Sequence, residues 1–260
     1  MEPFSSRFME GRRIVGILGG MSGESTLTFL RDLYDEARRL AGGTHLCETL
    51  MYSVDFYNIE TFVHAERWEE AAHYVVDKGR RLEAAGADFL VIVCNTMHKV
   101  APQLEAAVSI PLLHIADPTG EAVAAAGARR IALMGTLNLM RDQEYQDRFR
   151  RYYDLDVLLP QHEEQVEIHR ILFEELCRGV ILPESKAILL TIMDRLVSRG
   201  AESIVLGCTE LEMLVKAKDY PRVPVFDTMA LLARKSAALS VGTDRWDRLT
   251  ARRPRELTDV

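Results

Sequence analysis

The chain has 260 residues, 48% of them hydrophobic and 27% charged, with a formal net charge of −7. A chain of this length buries a sizeable core in one large or two small domains, and the composition is that of a soluble globular protein. The acidic balance offers no basic field to nucleic acid or an anionic membrane, no apolar run reaches the roughly 18–20 residues that span a bilayer, and Met1–Arg13 lacks the apolar core of a secretory signal.

In chain order, residues 1–11 are polar without a period and are expected to be flexible. Ile14–Leu18 predicts a first strand. Gly19-Gly20-Met21-Ser22-Gly23-Glu24-Ser25-Thr26 predicts a glycine-rich turn into a helix reaching about Leu40. Such a turn aims backbone N–H groups at an anion beside the helix N-terminus. Glu24 stands where a Walker loop needs lysine, and the three-glycine dinucleotide pattern is matched only loosely, so a carboxylate is the better-sized guest. Glu48–Val54 predicts a second strand, and Asn58–Ala65 a loop or short helix. Trp68–Ala85 is amphipathic, with Trp68, Ala72, Val75, Val76, Gly79 and Leu82 at helical spacing; Trp68, Tyr74 and the alanines are expected in the core.

A third strand follows Gly86-Ala87 and runs into Cys94-Asn95-Thr96, and Met97–Val108 continues as a helix that Asn95 or Thr96 caps. Asp117-Pro118-Thr119-Gly120 reads as a boundary. Beyond it the pattern gives helix Glu121–Gly127, strand Ile131–Met134, the turn Gly135-Thr136, a polar helix Met140–Tyr152 and a short strand Val157–Leu159. Helix Glu163–Cys177 ends with Gly179 just past it, where glycine closes helices. Helix Glu184–Arg199 feeds strand Ser203–Leu206 and Cys208, and a last helix, Thr228–Ser240, is expected to pack on the first unit. Residues 242–260 form a charged tail, again expected to be flexible.

This order repeats itself. Gly-Ala-Asp-Phe-Leu-Val-Ile-Val-Cys-Asn-Thr at Gly86 to Thr96 is echoed by Gly-Ala-Glu-Ser-Ile-Val-Leu-Gly-Cys-Thr-Glu at Gly200 to Glu210. Arg12-Arg13-Ile14-Val15 is echoed by Arg129-Arg130-Ile131-Ala132, and Ile110-Pro111-Leu112-Leu113 by Val223-Pro224-Val225-Phe226. An aliphatic run after a Gly-Ala turn is the mark of a buried parallel strand, and ligands of α/β sheets bind at the carboxyl ends of such strands. The expected fold is α/β: two pseudo-symmetric domains, each a mostly parallel sheet flanked by helices, with the active site in the cleft between them. The expected bounds are 12–117 with 223–241 for the first domain and 118–222 for the second.

Four cysteines are too few for a disulfide scaffold and none form a Cys-x-x-Cys pair, so reduced thiols in a cytoplasmic protein are expected. Cys47 and Cys177 read as inert core residues. Cys94 and Cys208 are each followed by small polar residues, which suits a ligand loop. A metal site drawing on Cys94, His98, Cys208 and Glu210 lacks the tight cysteine pairs of structural zinc, and nothing resembles a dithiol oxidoreductase. The duplication suggests a different use. Two thiols on opposite sides of one small molecule can invert a carbon centre, one removing a proton while the other returns one to the far face. The α-hydrogen of an amino acid is a weak acid, so help must come from desolvation and from donors to the α-carboxylate. Asn95, Ser22, Thr96, Thr136, Thr209 and the glycine-turn N–H groups are the candidates. No lysine stands in an obvious Schiff-base setting, so pyridoxal phosphate is not implied and no cofactor or metal is expected.

Gly19-Gly20-Met21-Ser22-x-Glu24-Ser25-Thr26, Cys94-Asn95-Thr96-Met97-His98 and Gly207-Cys208-Thr209-Glu210-Leu211, in this order and each at a strand end, resemble the aspartate/glutamate racemase family from about Arg13 to Ser240. Tyr52-Ser53-Val54-Asp55-Phe56, Leu113-His114-Ile115-Ala116-Asp117 and Phe173-Glu174-Glu175-Leu176-Cys177 further resemble the branch of broad and L-aspartate/glutamate-specific racemases. The resemblance implies a cofactor-independent two-base racemase, often a homodimer, acting on a small amino acid. Cys94 and Cys208 become the acid/base thiols, and Met21, Ser22, Asn95, Thr96, Thr136 and Thr209 the substrate contacts. The enterobacterial enzyme of that branch has threonine where this chain has Cys94, which implies that both L and D substrates are processed here. Arg178 stands roughly where other aspartate racemases place a lysine for the side-chain carboxylate; it equally fits a helix C-terminal cap. The alternatives are a maleate isomerase or hydantoin racemase on the same scaffold, or a non-catalytic amino-acid binding protein.

Overall fold

A computed structural model describes residues 11–244. The described residues divide into two compact units, residues 11–93, 100–113 and 233–244 in one, and 94–99 and 114–232 in the other.

In the first unit, β1 (Val15–Gly19), α1 (Gly23–Ala41), β2 (Thr49–Ser53), α2 (Phe56–His64), α3 (Trp68–Ala84), β3 (Phe89–Ile92) and α4 (Ala101–Ala107) follow in order. The strands are parallel in the order β2-β1-β3, with Leu18 opposite both Tyr52 and Ile92. The central strand is buried along its whole length, whereas edge strand β2 is half-exposed. That is why β1, Val-Gly-Ile-Leu-Gly, carries no polar side chain whereas β2 carries Thr49, Tyr52 and Ser53. The expected strand at Ile110–Leu113 is reduced to a single parallel bridge, Leu90 to Leu112. The expected helix Met97–Val108 is a tight turn over Thr96–Val100 followed by α4, which Pro102 opens in its first turn. Ala72, Val75, Gly79 and Leu82 of α3 are buried as the spacing requires. Trp68 and Tyr74, expected in the core, are only half-buried; Tyr74 lies under Lys78, whose Nζ is 3.9 Å from the ring centre, and its hydroxyl accepts from Asn58 at 3.3 Å.

In the second unit come α5 (Ala116–Ala125), β4 (Arg130–Met134), α6 (Leu137–Met140), α7 (Gln143–Tyr153), β5 (Asp156–Leu158), α8 (His162–Arg170), α9 (Pro183–Ser198), β6 (Ser203–Leu206), α10 (Thr209–Leu214), β7 (Val225–Asp227) and the start of α11 (Thr228–Ser240). Its four parallel strands run β5-β4-β6-β7. The first unit repeats this order, with Leu112 in the place of β7. The core of the second unit gathers Ala132, Met134, Ile204 and Leu206 of the sheet against Ile168, Ile171, Leu172, Ile192, Met193 and Leu196.

Asp117-Pro118-Thr119-Gly120 is not a boundary loop. It lies inside α5 and is buried. Pro118 occupies the first turn, where its missing N–H costs no helical hydrogen bond. Gly120 is explained by packing, since a Cβ there would meet the ring of Tyr153 at 2.4 Å. Asp117 makes a two-pronged ion pair with Arg148 of α7, both contacts 2.7 Å. The expected helix Met140–Tyr152 is interrupted: α7 starts afresh at Asp142, whose side chain accepts from the N–H groups of Glu144 and Tyr145. Residues 223–232, expected with the first domain, cluster with the second unit because β7 pairs with β6. From Ala233 onward α11 belongs to the first unit, where the Ser240 hydroxyl donates to the Arg13 carbonyl at 2.7 Å. Of the ends expected to be flexible, all but Gly11 and residues 242–244 lie outside the described residues; Asp244 is paired with Lys235 at 2.6 Å. No described helix is long and apolar enough to cross a membrane.

Candidate active site

In the second unit β4 and β6 leave the sheet side by side, and a close-packed glycine stands at the end of each. A Cβ on Gly207 would meet Leu139 Cδ2 at 2.4 Å, and one on Gly135 would meet the same atom at 2.8 Å. These two glycines let the loops carrying Thr136 and Cys208 lie against one another. The Thr136 hydroxyl caps α6 by accepting from the Leu139 N–H at 3.2 Å, and it lies 2.9 Å from the hydroxyl of Thr96.

Cys94 opens the segment 94–99 of this unit. The residue is half-buried; burial pushes the pKa of its thiol up to about 11, and the nearby charge of Glu210 adds to that effect. Backbone hydrogen bonding by Met97 and Thr96 acts in the opposite sense, favouring the thiolate. His98 fixes the backbone of this turn. Its Nε2 accepts the Ile115 N–H at 3.1 Å, so the proton resides on Nδ1, which donates to the Cys94 carbonyl at 2.8 Å. Burial pushes the pKa of His98 down to about 3 and that of the adjacent His114, 4.3 Å away between ring centres, well below its ordinary value. With both ring nitrogens engaged on the backbone, His98 is withdrawn from the ligand pair with Cys94 that the spacing suggested.

Cys208 stands at the entrance to α10. Its Sγ donates to Oε2 of Glu210 at 3.0 Å, and the Thr209 hydroxyl donates to the same oxygen at 2.9 Å. Burial raises the Cys208 pKa well above its ordinary value, Glu210 raises it further, and a smaller contribution comes from Cys94 itself. The two thiols are therefore near enough to feel each other's charge, with Glu210 acting on both.

Asn95 is buried and held on two sides. Its Nδ2 lies 2.9 Å from the Thr228 hydroxyl, and the Tyr145 hydroxyl lies 2.7 Å from its Oδ1. Thus Cys94, Asn95, Thr96, Thr136, Cys208 and Thr209 are brought into one unit. Tyr145 and Thr228 join them without having been singled out from the sequence, and so does Glu210, which the sequence offered only as a metal ligand. Met21 and Ser22 belong to the first unit. There Ser22 caps α1 by accepting from the Ser25 N–H, and the Gly20 N–H is taken up by the Thr26 hydroxyl at 2.8 Å, so part of the expected anion-binding turn is satisfied internally. Arg178 is exposed on a short turn, Leu176–Arg178, that packs against α10 and ends at Gly179.

The core reading holds for Cys47 and fails for Cys177. Cys47 is buried, and burial raises its pKa. Cys177 is exposed because the buried stripe of its segment runs through Ile168, Ile171, Leu172, Glu175 and Leu176, and position 177 falls off it.

Residues 18–236 match the family described as Asp/Glu/hydantoin racemase. Among curated proteins, the broad specificity amino-acid racemase RacX of Bacillus subtilis is 24% identical over 86% of this chain and 97% of its own length. Among solved structures, a candidate Asp/Glu racemase from Yersinia pestis is 37% identical, with a TM-score of 0.83 over 88% of this chain and 99% of the other. An aspartate racemase homologue from Pyrococcus horikoshii is 33% identical, with a TM-score of 0.75 over the same shares.

Proposed function

The chain belongs to the Asp/Glu/hydantoin racemase family, and on that premise we propose that it interconverts the L and D forms of aspartate, glutamate or a related small amino acid. Cys94 and Cys208 exchange the α-proton from opposite faces, and no pyridoxal phosphate takes part. The observation that carries this reading is the pair of thiols at two strand ends, each sensing the charge of Glu210 and set among side-chain donors.

In one direction the Cys94 thiolate takes the α-proton: the Cα–H bond breaks, an S–H bond forms, and the electron pair passes into the carboxylate as it gains enolate character. The S–H of Cys208 then breaks and its proton reaches the opposite face of the α-carbon. In the reverse direction the two thiols exchange roles. The N–H groups of Thr96 and Met97 favour the thiolate at Cys94, whereas Glu210 accepts the S–H of Cys208 and favours the thiol there. A raised thiol pKa makes a stronger base against a weak carbon acid, at the cost of a smaller thiolate population. Asn95 and the Thr96–Thr136 hydroxyl pair supply donors for the α-carboxylate, where charge accumulates as the proton leaves, while the Thr209 hydroxyl donates to Glu210.

The test is circular dichroism of each enantiomer of aspartate, glutamate and alanine incubated with the purified protein. Loss of signal from both enantiomers, abolished by Cys94→Ser and by Cys208→Ser, supports the proposal. Racemisation of a 5-substituted hydantoin but of no free amino acid would replace it, and binding without turnover would leave an amino-acid binding protein.

A further inference from the structure

Three hydrogen bonds in the second unit have only one consistent set of proton positions. The Thr228 hydroxyl lies 3.0 Å from the carbonyl of Leu206, which can only accept, so its single proton points there. Toward Asn95, 2.9 Å away, Thr228 must then accept, which places the amide nitrogen of Asn95 on that side. The amide oxygen consequently faces Tyr145, and the phenol donates to it at 2.7 Å. Burial and the charges of Asp117 and Asp142 raise the Tyr145 pKa, so the phenol keeps its proton and remains a donor. Tyr145, Asn95 and Thr228 are all buried. Among the described residues, the second N–H of the Asn95 amide has no partner.

We propose that Tyr145 and Thr228 are positioning residues that orient Asn95 so that its remaining amide N–H, and not its oxygen, is presented to the α-carboxylate of the substrate. This rests on the racemase reading and names the two side chains that aim one of its donors. The same chain of bonds ends on Leu206, two residues before Cys208, while Asn95 directly follows Cys94. It therefore ties the two cysteine loops together as well as setting the amide.

The experiment compares wild type with Tyr145→Phe, Thr228→Val and Thr228→Ser. It measures KM and kcat for the amino acid turned over fastest, and inhibition by its des-amino carboxylic acid and by its decarboxylated amine. Thermal melts report the folded fraction. Tyr145→Phe and Thr228→Val are expected to raise KM about tenfold, the size of one lost hydrogen bond to a charged group. They are expected to weaken inhibition by the carboxylic acid in parallel and to leave inhibition by the amine unchanged. Thr228→Ser, which keeps the hydroxyl, restores KM to within about twofold. A fall in kcat that only follows the folded fraction, at unchanged KM, would mean a merely structural role, and weaker inhibition by the amine instead would reverse the assignment; either overturns the inference while the racemase reading stands. Should wild type turn over no amino acid, that reading fails by itself. Calorimetric titration with the des-amino acid and the amine of aspartate then decides the inference: weaker carboxylate binding in Tyr145→Phe supports it, and unchanged or undetectable binding overturns it.

Discussion

The Sγ of Cys208 donates to Oε2 of Glu210 at 3.0 Å, and that carboxylate also raises the pKa of Cys94. One acidic side chain thus adds to the proton affinity that burial gives both thiols. Replacing Glu210 by Gln removes the charge while keeping a polar group of the same size, so both thiols become more acidic. The pH profile of kcat/KM is expected to move to lower pH by about one unit, with the larger change on the limb that reports Cys208. A profile that superimposes on wild type contradicts this role.

Arg178 is the side chain we assign to the second carboxylate of an acidic substrate, on the ground that its turn packs against α10, directly after Cys208. Arg178→Ala is expected to raise KM for aspartate and glutamate by about tenfold, the scale of one charge-assisted hydrogen bond, and to leave KM for alanine unchanged. Steady-state kinetics on the three substrates checks this; an equal change for all three removes Arg178 from recognition.

His98 is buried as the neutral imidazole, its pKa pushed down from 6.5 to about 3. A lowered folded value means that its stabilising contribution is complete above about pH 6.5 and is lost as pH falls from there toward 3. Between pH 7 and 5 the wild type is expected to lose on the order of 1–2 kcal/mol more than His98→Gln. His114 titrates in both proteins, so the difference isolates His98. Urea unfolding at the two pH values measures it, and parallel losses contradict it.

Asp227 caps α11 by accepting the N–H groups of Met229 and Ala230, and its pKa is raised to about 7, by burial first and then by the hydrogen bond and charge of Glu212. A raised folded value means stability that is present at low pH and lost as pH rises through about 7. Asn caps a helix as well as Asp does but carries no charge. Asp227→Asn is therefore expected to be the more stable protein at pH 8, by on the order of 1 kcal/mol, and to show little or no gain at pH 5. Thermal melting at the two pH values decides; a gain that is equal at both means that the pKa of Asp227 is not raised in the folded protein.

Much of this site is legible locally. Gly207-Cys208-Thr209-Glu210 announces itself because a strand end packed against its neighbour needs a small residue, and polar residues directly after a cysteine do not suit a core. The repeat of this pattern at Cys94 carries the duplicated α/β order in the sequence itself. What the sequence hides is set by distant partners. Asp117-Pro118-Thr119-Gly120 has the composition of a turn, but Pro118 sits where a helix tolerates it and Gly120 is there for the ring of Tyr153. Tyr145 and Thr228 carry no local sign of their role because their shared partner, Asn95, is 50 and 133 residues away. Cys177 shares its residue type with Cys47, and only its place one step past Leu176 turns it outward.

The central claim is that two thiols act on opposite faces of one α-carbon, and the most direct test is racemisation in deuterated water, stopped early and followed by resolution of the enantiomers. Two monoprotic bases predict deuterium at the α-carbon of the newly formed enantiomer and protium in the unconverted starting material, from either enantiomer. Cys94→Ser and Cys208→Ser are each expected to abolish interconversion. Deuterium appearing equally in both enantiomers would indicate a single base exchanging with solvent and would contradict the account.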